Sequence, residues 1–352
     1  MKVFLVDQFI TGHHVQYIRG LVSEADTQEY VCMLPGRAQL PENCRQLVAA
    51  KPKHTIRGYL AYLKALKVAI DAEKPDVIHL LYGDFFYRFF GFGLKWAFGK
   101  HKVIATLHSV PGAFIKRMGV KGVCRKLRTA VVHTQTLRGK MEKDGIRNVS
   151  VIEYPCFLPV YSISSAQAKA ELDLPVDVPV IAALGGTRYD KGLDLLMTAL
   201  DKVQVPFSLL IAGREQEIKR SQIEQLTAGY RDRVKVLLQN LSDEEYCCCL
   251  QAADVIALPY RKILTGASGP LVEGAAAGKV ILGTDFGSIG TIIRQNHIGY
   301  LWDTDSVDDM VKTLEQVLGQ PPMAYDHVAK AFQQSLSVES FAEKYAKIYK
   351  QF

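Results

Sequence analysis

Residues suited to holding phosphate and vicinal hydroxyls fall in two stretches of the second half of this 352-residue chain. The first, Gly185-Gly186-Thr187-Arg188-Tyr189-Asp190-Lys191-Gly192, joins glycines at the end of an apolar run to two cations. Glycines at a strand end let a ligand approach the backbone, and a helix opening beyond them offers its first N–H groups to phosphate. Arg188 and Lys191 are donors matched to phosphate oxygens. The second stretch, Leu264-Thr265-Gly266-Ala267-Ser268-Gly269-Pro270-Leu271-Val272-Glu273, puts small residues before a helix that Pro270 can start. Glu273 falls about one turn in, where a carboxylate can accept from two neighbouring hydroxyls, as on a ribose. Taken singly, each stretch also has a plainer reading. The first could be a basic turn, the second an Ala-rich buried helix with one ion-paired Glu.

In the first half, Thr11-Gly12-His13-His14 follows an apolar run and opens a helical period. His13 and His14 are candidates to meet an acceptor molecule, with helix capping or surface exposure as the alternative. His108 ends the run Lys102–Leu107 at the carboxyl edge of an expected sheet, where open α/β sheets bind ligands. His79 reads as core-facing. Residues 82–128 interleave Tyr82, Phe85, Phe86, Phe89, Phe90, Phe92 and Trp96 with cations that include Lys116, Arg117, Lys121, Arg125, Lys126 and Arg128. That mixture suits the lipid headgroup boundary, each cation adding about 1 kcal/mol on an anionic leaflet. The alternative is a helix buried against its own sheet. Asp303-Thr304-Asp305 imitates a metal-binding carboxylate pair but stands before Ser306, Asp308 and Asp309, and helix capping explains it better. Seven cysteines, three of them consecutive at Cys247–Cys249 and none in a C-x-x-C pair, suit neither a zinc site nor a disulfide framework. No metal site is expected.

The elements that must position these residues are short apolar runs alternating with helical periods. In the first half the expected strands are Val3–Val6, Tyr30–Leu34, Val77–Leu81, Val103–Leu107, Ala130–His133 and Val149–Glu153. Helices are expected over His14–Val22, Ile56–Ala72, Phe85–Phe98 and Gln135–Lys143. The second half repeats the rhythm, with strands at Val178–Leu184, Ser208–Ala212, Val234–Leu238, Val255–Leu258 and Val280–Gly283 and a helix after each of the first four. Helices near Val307–Leu318 and Val338–Gln351 close the chain. This alternation means βαβ units and mainly parallel sheets. The proline- and serine-bearing stretch Pro155–Asp177 reads as the linker. The expected fold class is therefore α/β, with two doubly wound Rossmann-like domains facing a central cleft. They are residues 1–160 and 161–352, the last helix packing back on the first domain.

Charge is divided between the halves. Residues 1–150 carry 24 Lys and Arg against 11 Asp and Glu, and the rest 19 against 25. The basic first half points to an anionic partner, and with no recognised module beside it nucleic acid is not expected. Apolar residues at 48% and charged ones at 22% exclude disordered and fibrous classes. No stretch of about 18 residues lacks a charge, so no membrane span is expected. Asp7 interrupts the first apolar run too early for a signal peptide. The expected location is cytoplasmic, peripheral on the inner face of the cell membrane.

The pattern Gly185…Lys191-Gly192-Leu193-Asp194-Leu195-Leu196, then Pro259…Gly266…Pro270…Glu273…Gly278-Lys279-Val280-Ile281, then Thr284-Asp285-Phe286-Gly287, resembles the nucleotide-sugar-binding domain of family 4 retaining glycosyltransferases. Lys74-Pro75-Asp76-Val77-Ile78-His79 and Thr106-Leu107-His108 are similar to that family's early strand motifs. The resemblance implies the GT-B fold and transfer from a nucleotide-diphosphate sugar to a glycan or lipid-linked acceptor in cell-surface polysaccharide synthesis. It implies no cofactor and no metal. Lys191, with Arg188, would bind the donor diphosphate, and Glu273 the nucleotide ribose. Gly185, Gly186, Gly266, Ala267, Ser268 and Gly269 would bring backbone to the sugar and diphosphate. Gly12 stands where the family has a glycine-rich loop, and His108 would face the sugar. Two positions depart from the pattern: Thr265 replaces a Glu, and Gly186 replaces an Arg that Arg188 follows in a shifted register. The rival expectations are an epimerase or phosphorylase on the same fold, and a non-catalytic sugar-nucleotide-binding subunit.

Overall fold

The runs of Val, Ile, Leu and Ala form thirteen strands among the residues that the computed structural model describes, which are all but 11–12, 23–27, 160–161, 264–267 and 352. The first seven are β1 (Lys2–Val6), β2 (Glu29–Leu34), β3 (Cys44–Val48), β4 (Val77–Leu80), β5 (Lys102–Thr106), β6 (Thr129–Val132) and β7 (Val149–Val151). They make one parallel sheet in the order β3-β2-β1-β4-β5-β6-β7. The other six are β8 (Val180–Leu184), β9 (Ser208–Ala212), β10 (Val234–Leu237), β11 (Val255–Leu258), β12 (Val280–Thr284) and β13 (Gly299–Trp302). Their sheet, also parallel, runs β10-β9-β8-β11-β12-β13. In each sheet the order reverses beside the first strand, between β1 and β4 and between β8 and β11. Ligands of doubly wound sheets bind at that reversal, beyond the carboxyl ends of the strands.

Both sheets are covered on both faces, which is why their strands read as unbroken apolar runs. Successive side chains go to opposite sides. Phe4 and Val6 join the cluster that holds Tyr59, Leu63, Phe86 and Val123, whereas Val3 and Leu5 join Tyr17, Ile18, Phe341 and Tyr345. In the second sheet Ala182 packs with Ile256, Leu271 and Ile289, and Ile181 with Leu196, Phe207 and Met310.

The chain divides into two units, residues 1–157 with 337–352, and residues 158–336. The second unit thus ends at Leu336 and does not extend to the C-terminus. The last helix, Val338–Lys350, spaces Phe341, Tyr345 and Tyr349 four residues apart, so one face carries three buried rings. Tyr345 Oη lies 2.6 Å from Tyr17 Oη and 2.8 Å from Thr106 Oγ1, and Tyr349 Oη lies 2.7 Å from His79 Nδ1. Those polar tips meet partners only in the first unit.

Three other expectations are corrected. The linker Pro155–Asp177 contains a helix, Ser165–Glu171, because Ser164 and Gln167 form a reciprocal cap at its start. The single helix Phe85–Phe98 is two short ones, Asp84–Tyr87 and Leu94–Phe98. Between them Phe90, Gly91 and Gly93 take positive φ of 52°, 61° and 74°, which no right-handed helix accommodates. Strand β3 and the helices Phe114–Cys124, Gly287–Asn296 and His327–Ser335 were not expected, since their apolar spacing is diluted by polar or small residues. The Asp303–Asp305 stretch serves as a helix start: Ser306 Oγ accepts from Asp309 N–H, and Asp309 Oδ2 from Asp303 N–H.

Candidate functional site: a glycine-lined turn and a capped helix in the second unit

Strand β8 leads directly into Gly185, whose N–H donates to Ala212 O and whose φ is 96°. A Cβ there would stand 2.6 Å from Lys191 Nζ and 3.9 Å from Pro270 Cγ, so the ammonium lies against bare backbone. Any residue but glycine would displace it. Thr187 is buried and pins the turn: its Oγ1 donates to Ile218 O and accepts from Gln216 N–H. A short 3₁₀ turn, Tyr189–Lys191, follows and ends at Gly192 with φ 64°. A Cβ on Gly192 would sit 2.0 Å from Pro259 O, so only glycine lets the turn close on the end of β11.

Arg261, just past β11, fastens the same turn. Its guanidinium donates to both carboxylate oxygens of Asp194 at 2.9 and 2.7 Å, and to Tyr189 O at 2.7 Å. It also lies 4.0 Å from the Tyr189 ring centre. Arg188 is turned onto Asp190, with Nε 2.9 Å from Oδ1 and a second bond from Nη2 to Oδ2. Lys191 therefore carries the less committed charge of the turn. Burial holds its ammonium below the ordinary lysine range and Arg188 adds to this, while Asp190 and Glu273 oppose it.

The second stretch supplies the facing side. Ser268 caps the helix Gly269–Ala276, its Oγ accepting from Leu271 N–H at 3.2 Å and lying 3.0 Å from Tyr260 Oη. The Tyr260 ring centre in turn lies 5.9 Å from Lys191 Nζ. Glu273 is half-buried one turn into this helix, and its Oε2 accepts from Tyr246 Oη at 2.5 Å. A Cβ on Gly269 would stand 3.1 Å from Glu273 Oε1, so the helix start and the carboxylate adjoin. Gly185, Lys191, Ser268, Gly269 and Glu273 are thus brought together at the strand-order reversal between β8 and β11. Gly186 lies in the same turn, under the amide of Gln216, whose Oε1 would be 2.1 Å from an added Cβ. Thr265, Gly266 and Ala267 lie outside the described residues.

Local sequence patterns did not reveal Thr187, Asp194, Gln216, Tyr246, Tyr260 and Arg261. Of these, Thr187 and Asp194 stand within the sequence patterns without a role there, as does Pro259. Arg261 follows that proline by two positions, the one signal that pointed to it.

In the first unit, the carboxyl edge gathers Asp7, His14, Tyr82, His108 and His133. His108 Nε2–H donates to Leu81 O at 2.9 Å, and its backbone N–H to Asp84 Oδ2 at 2.8 Å, which fixes the ring and leaves Nδ1 for another group. Its ring centre is 5.6 Å from Tyr82 and 5.1 Å from His133. His14 Nδ1 lies 2.9 Å from Asp7 Oδ2. His79 is fully buried between Tyr349 and Thr106, in accord with its core-facing reading. Burial, with His108 and His133 adding, holds it down to about 3. His133 is likewise held down to about 3, by burial and then His108. Gly12 and the His13 side chain lie outside the described residues. Among the described residues, no three His, Cys, Asp or Glu side chains converge as a metal site would need.

Two all-parallel doubly wound sheets, with a glycine-lined turn and a capped helix start adjoining at the reversal of the second, define a GT-B architecture. Solved structures share it along the whole chain. Sucrose-phosphate synthase from Thermosynechococcus elongatus aligns with TM-score 0.77 and 17% identity over 99% of this chain and 98% of its own. Anabaena Alr3699/HepE in complex with UDP aligns with TM-score 0.78 and 15% identity over all of both chains. Residues 164–334 match the family model described as Glycosyl transferases group 1. Phosphatidyl-myo-inositol mannosyltransferase of Mycobacterium tuberculosis is 28% identical over 222 residues, 58% of this chain and 54% of that protein. D-inositol 3-phosphate glycosyltransferase of Xylanimonas cellulosilytica is 28% identical over 155 residues, 41% of this chain and 36% of that protein. The match thus spans about half the length, or less, of these curated relatives. Residues 164–334, just under half of the chain, thus match the glycosyl transferases group 1 model, and the chain as a whole has the GT-B fold of these neighbours.

Proposed function

We propose that this chain moves a sugar, with retention of anomeric configuration, from a nucleotide-diphosphate donor to a glycan or lipid-linked acceptor of the cell surface. The carrying observation is the Lys191 ammonium, packed against Gly185 beside the helix start that bears Glu273. In this reading Glu273 holds the ribose, and Lys191, Arg188 and the N–H groups of the helix Gly269–Ala276 hold the diphosphate. These donors stabilise the charge that grows as the glycosidic bond breaks, without a metal. The acceptor hydroxyl attacks the same face and passes its proton to the departing phosphate oxygen. His108 contacts the transferred sugar, and the first unit takes the acceptor. Support for a nucleotide-sugar donor comes from solved neighbours whose titles name UDP and UDP-glucose. Support for a lipid-linked acceptor comes from curated relatives named for phosphatidyl-myo-inositol.

The same reading places the first unit on an anionic membrane. The helix Phe114–Cys124 exposes Phe114 at 71% and Ile115 at 68%, and Phe92 nearby in sequence is 71% exposed. Phe85, Phe86, Leu94 and Phe98 instead belong to the core. No helix among the described residues is long and apolar enough to cross a membrane, so attachment in this scheme is peripheral.

The test is a screen of nucleotide sugars for thermal stabilisation, followed by transfer assays on lipid-linked and glycan acceptors. A ligand at 100 times its Kd adds about 2.7 kcal/mol of stability. Transfer with the donor's anomeric configuration kept in the product supports the proposal. Epimerisation of the donor without an acceptor, or binding with neither hydrolysis nor transfer, refutes it in favour of an epimerase or a non-catalytic subunit.

A further inference from the structure

The carboxyl edge of the first unit holds a buried carboxylate that the donor site does not use. Asp7, at the end of β1, is only 2% exposed. Its Oδ1 accepts from Phe9 N–H at 3.0 Å and its Oδ2 from His14 Nδ1–H at 2.9 Å. A carboxylate only accepts, so in the neutral imidazole the proton sits on Nδ1 and Nε2 presents a lone pair. Nε2 has no hydrogen-bond partner among the described residues, and the ring is half-exposed. Around it cluster the half-exposed rings of Phe9, Tyr82 and His108, Phe9 and His14 each meeting Tyr82 edge to face and Tyr82 stacking on His108. Phe9 and His14 centres are 4.7 Å apart, Phe9 and Tyr82 5.2 Å, His14 and Tyr82 5.5 Å, and Tyr82 and His108 5.6 Å. The Lys51 ammonium stands 5.2 Å from the Phe9 centre and adds a cationic donor at the rim.

We propose that Asp7 and His14 form a carboxylate–imidazole pair that takes a hydroxyl of the acceptor at His14 Nε2, the acceptor group being a pyranose or other cyclic polyol laid against Phe9, Tyr82 and His108. This rests on the reading that the first unit binds the acceptor, and it adds a positioning role for Asp7. A cluster of aromatic faces and edges suits the C–H groups of a sugar ring, and a lone pair held at fixed orientation suits one hydroxyl. Asp7 acts through His14: by accepting from Nδ1–H it keeps Nε2 an acceptor.

Asp7→Asn tests this, because an amide has one oxygen where two donors now need acceptors. The Phe9 N–H is fixed and takes that oxygen. The amide NH₂ then faces Nδ1, and the imidazole proton moves to Nε2. Long-range ¹H–¹⁵N correlation spectra of the histidines should show the His14 proton on Nδ1 in the native chain and on Nε2 in Asp7→Asn. Titration with methyl α-D-glucopyranoside, followed on Tyr82 and His108 resonances, should show binding that Asp7→Asn and His14→Phe each weaken about three- to tenfold, the worth of one hydrogen bond. UDP affinity should not move. His14→Phe keeps a ring at the surface, so it decides the matter should Asp7→Asn not fold. An unchanged tautomer, no pyranoside binding, or equal pyranoside affinity in His14→Phe overturns the proposal. Pyranoside binding that depends on the pair, in a chain that transfers no sugar, supports the pair and overturns the transferase reading instead.

Discussion

Arg261 grips Asp194 with two parallel hydrogen bonds of 2.9 and 2.7 Å across 67 residues of sequence. Through its further bond to Tyr189 O it ties the end of β11 to the turn that carries Lys191. The planar fork of an arginine fits a carboxylate in this way, and a lysine does not. Asp194 and the Asp190 carbonyl, which accepts from Arg261 N–H at 2.9 Å, complete the fastening.

Arg261→Lys and Arg261→Ala should therefore both loosen the turn. Each should cost about 1–3 kcal/mol of stability, the range for charge-assisted bonds to a partly exposed partner. Donor affinity should fall as well, although Arg261 is assigned no contact with the donor. Denaturant unfolding and calorimetric titration with nucleotide check the two effects. A lysine variant that keeps native stability and affinity would show that the fork geometry is not what matters.

Glu273→Ala should raise the Kd for nucleoside diphosphate by an order of magnitude or more, since losing a charge-assisted bond costs about 1.5–3 kcal/mol. Tyr246→Phe removes the hydroxyl that donates to Glu273 Oε2. It should have a smaller effect in the same direction, about 0.5–1.5 kcal/mol. Because both residues belong to one pair, their double variant should be less impaired than the sum. Titration calorimetry on the four proteins measures this directly.

If Lys191 stabilises the departing diphosphate as proposed, Lys191→Ala should lower kcat as well as donor affinity. Burial keeps the Lys191 ammonium below its ordinary range. Between the folded value and the ordinary one of about 10.4, the unfolded chain binds more protons, so Lys191 contributes stability that grows as pH rises through this window. Donor affinity should move the opposite way, weakening over the same window as the ammonium is lost. Lys191→Met should abolish that pH dependence. In the metal-free scheme EDTA leaves activity intact, and a loss restored by Mn²⁺ would overturn it.

Membrane attachment should depend on fewer cations than the composition suggests. Arg117 is bound to Asp144, Lys121 donates to Asp144 O, and Lys126 donates to Gly122 O and Phe90 O. Lys116 and Arg125 have no such partner among the described residues. Reversing these two to Glu should weaken flotation with anionic liposomes at 0.1 M salt, where the Debye length is about 10 Å. Phe114→Ser with Ile115→Ser should remove the remainder that survives 1 M salt, where that length is about 3 Å. Equal recovery on neutral and anionic vesicles would refute the anionic docking face.

What the sequence determined by itself was the alternation of elements and the position and glycine content of the turn after β8. Buried parallel strands are unbroken apolar runs, so Ser208–Ala212 and Val255–Leu258 were legible to the residue. Glycines at 185 and 192 mark where backbone must bend or be approached, and Lys191 between them follows from its type and spacing. Helix ends were legible where caps are local, as at Asp243–Ala252 behind Ser242. The break at Phe90–Gly93 was not, because positive φ is not an aromatic residue's own preference; the Phe90 carbonyl there accepts from Lys126 Nζ, 36 residues on. Only the tertiary structure decided which polar groups meet. Asp7 meets His14 because β1 ends beside the helix His13–Val22, Tyr246 reaches Glu273 from another helix, and the last helix returns to the first unit through Tyr345 and Tyr349. Periodicity and caps are properties of a few neighbouring residues, whereas these pairs depend on which strand ends the fold sets side by side. Tyr246–Glu273, Arg261–Asp194 and Tyr17–Tyr345 lie 27, 67 and 328 residues apart, beyond the reach of any local pattern.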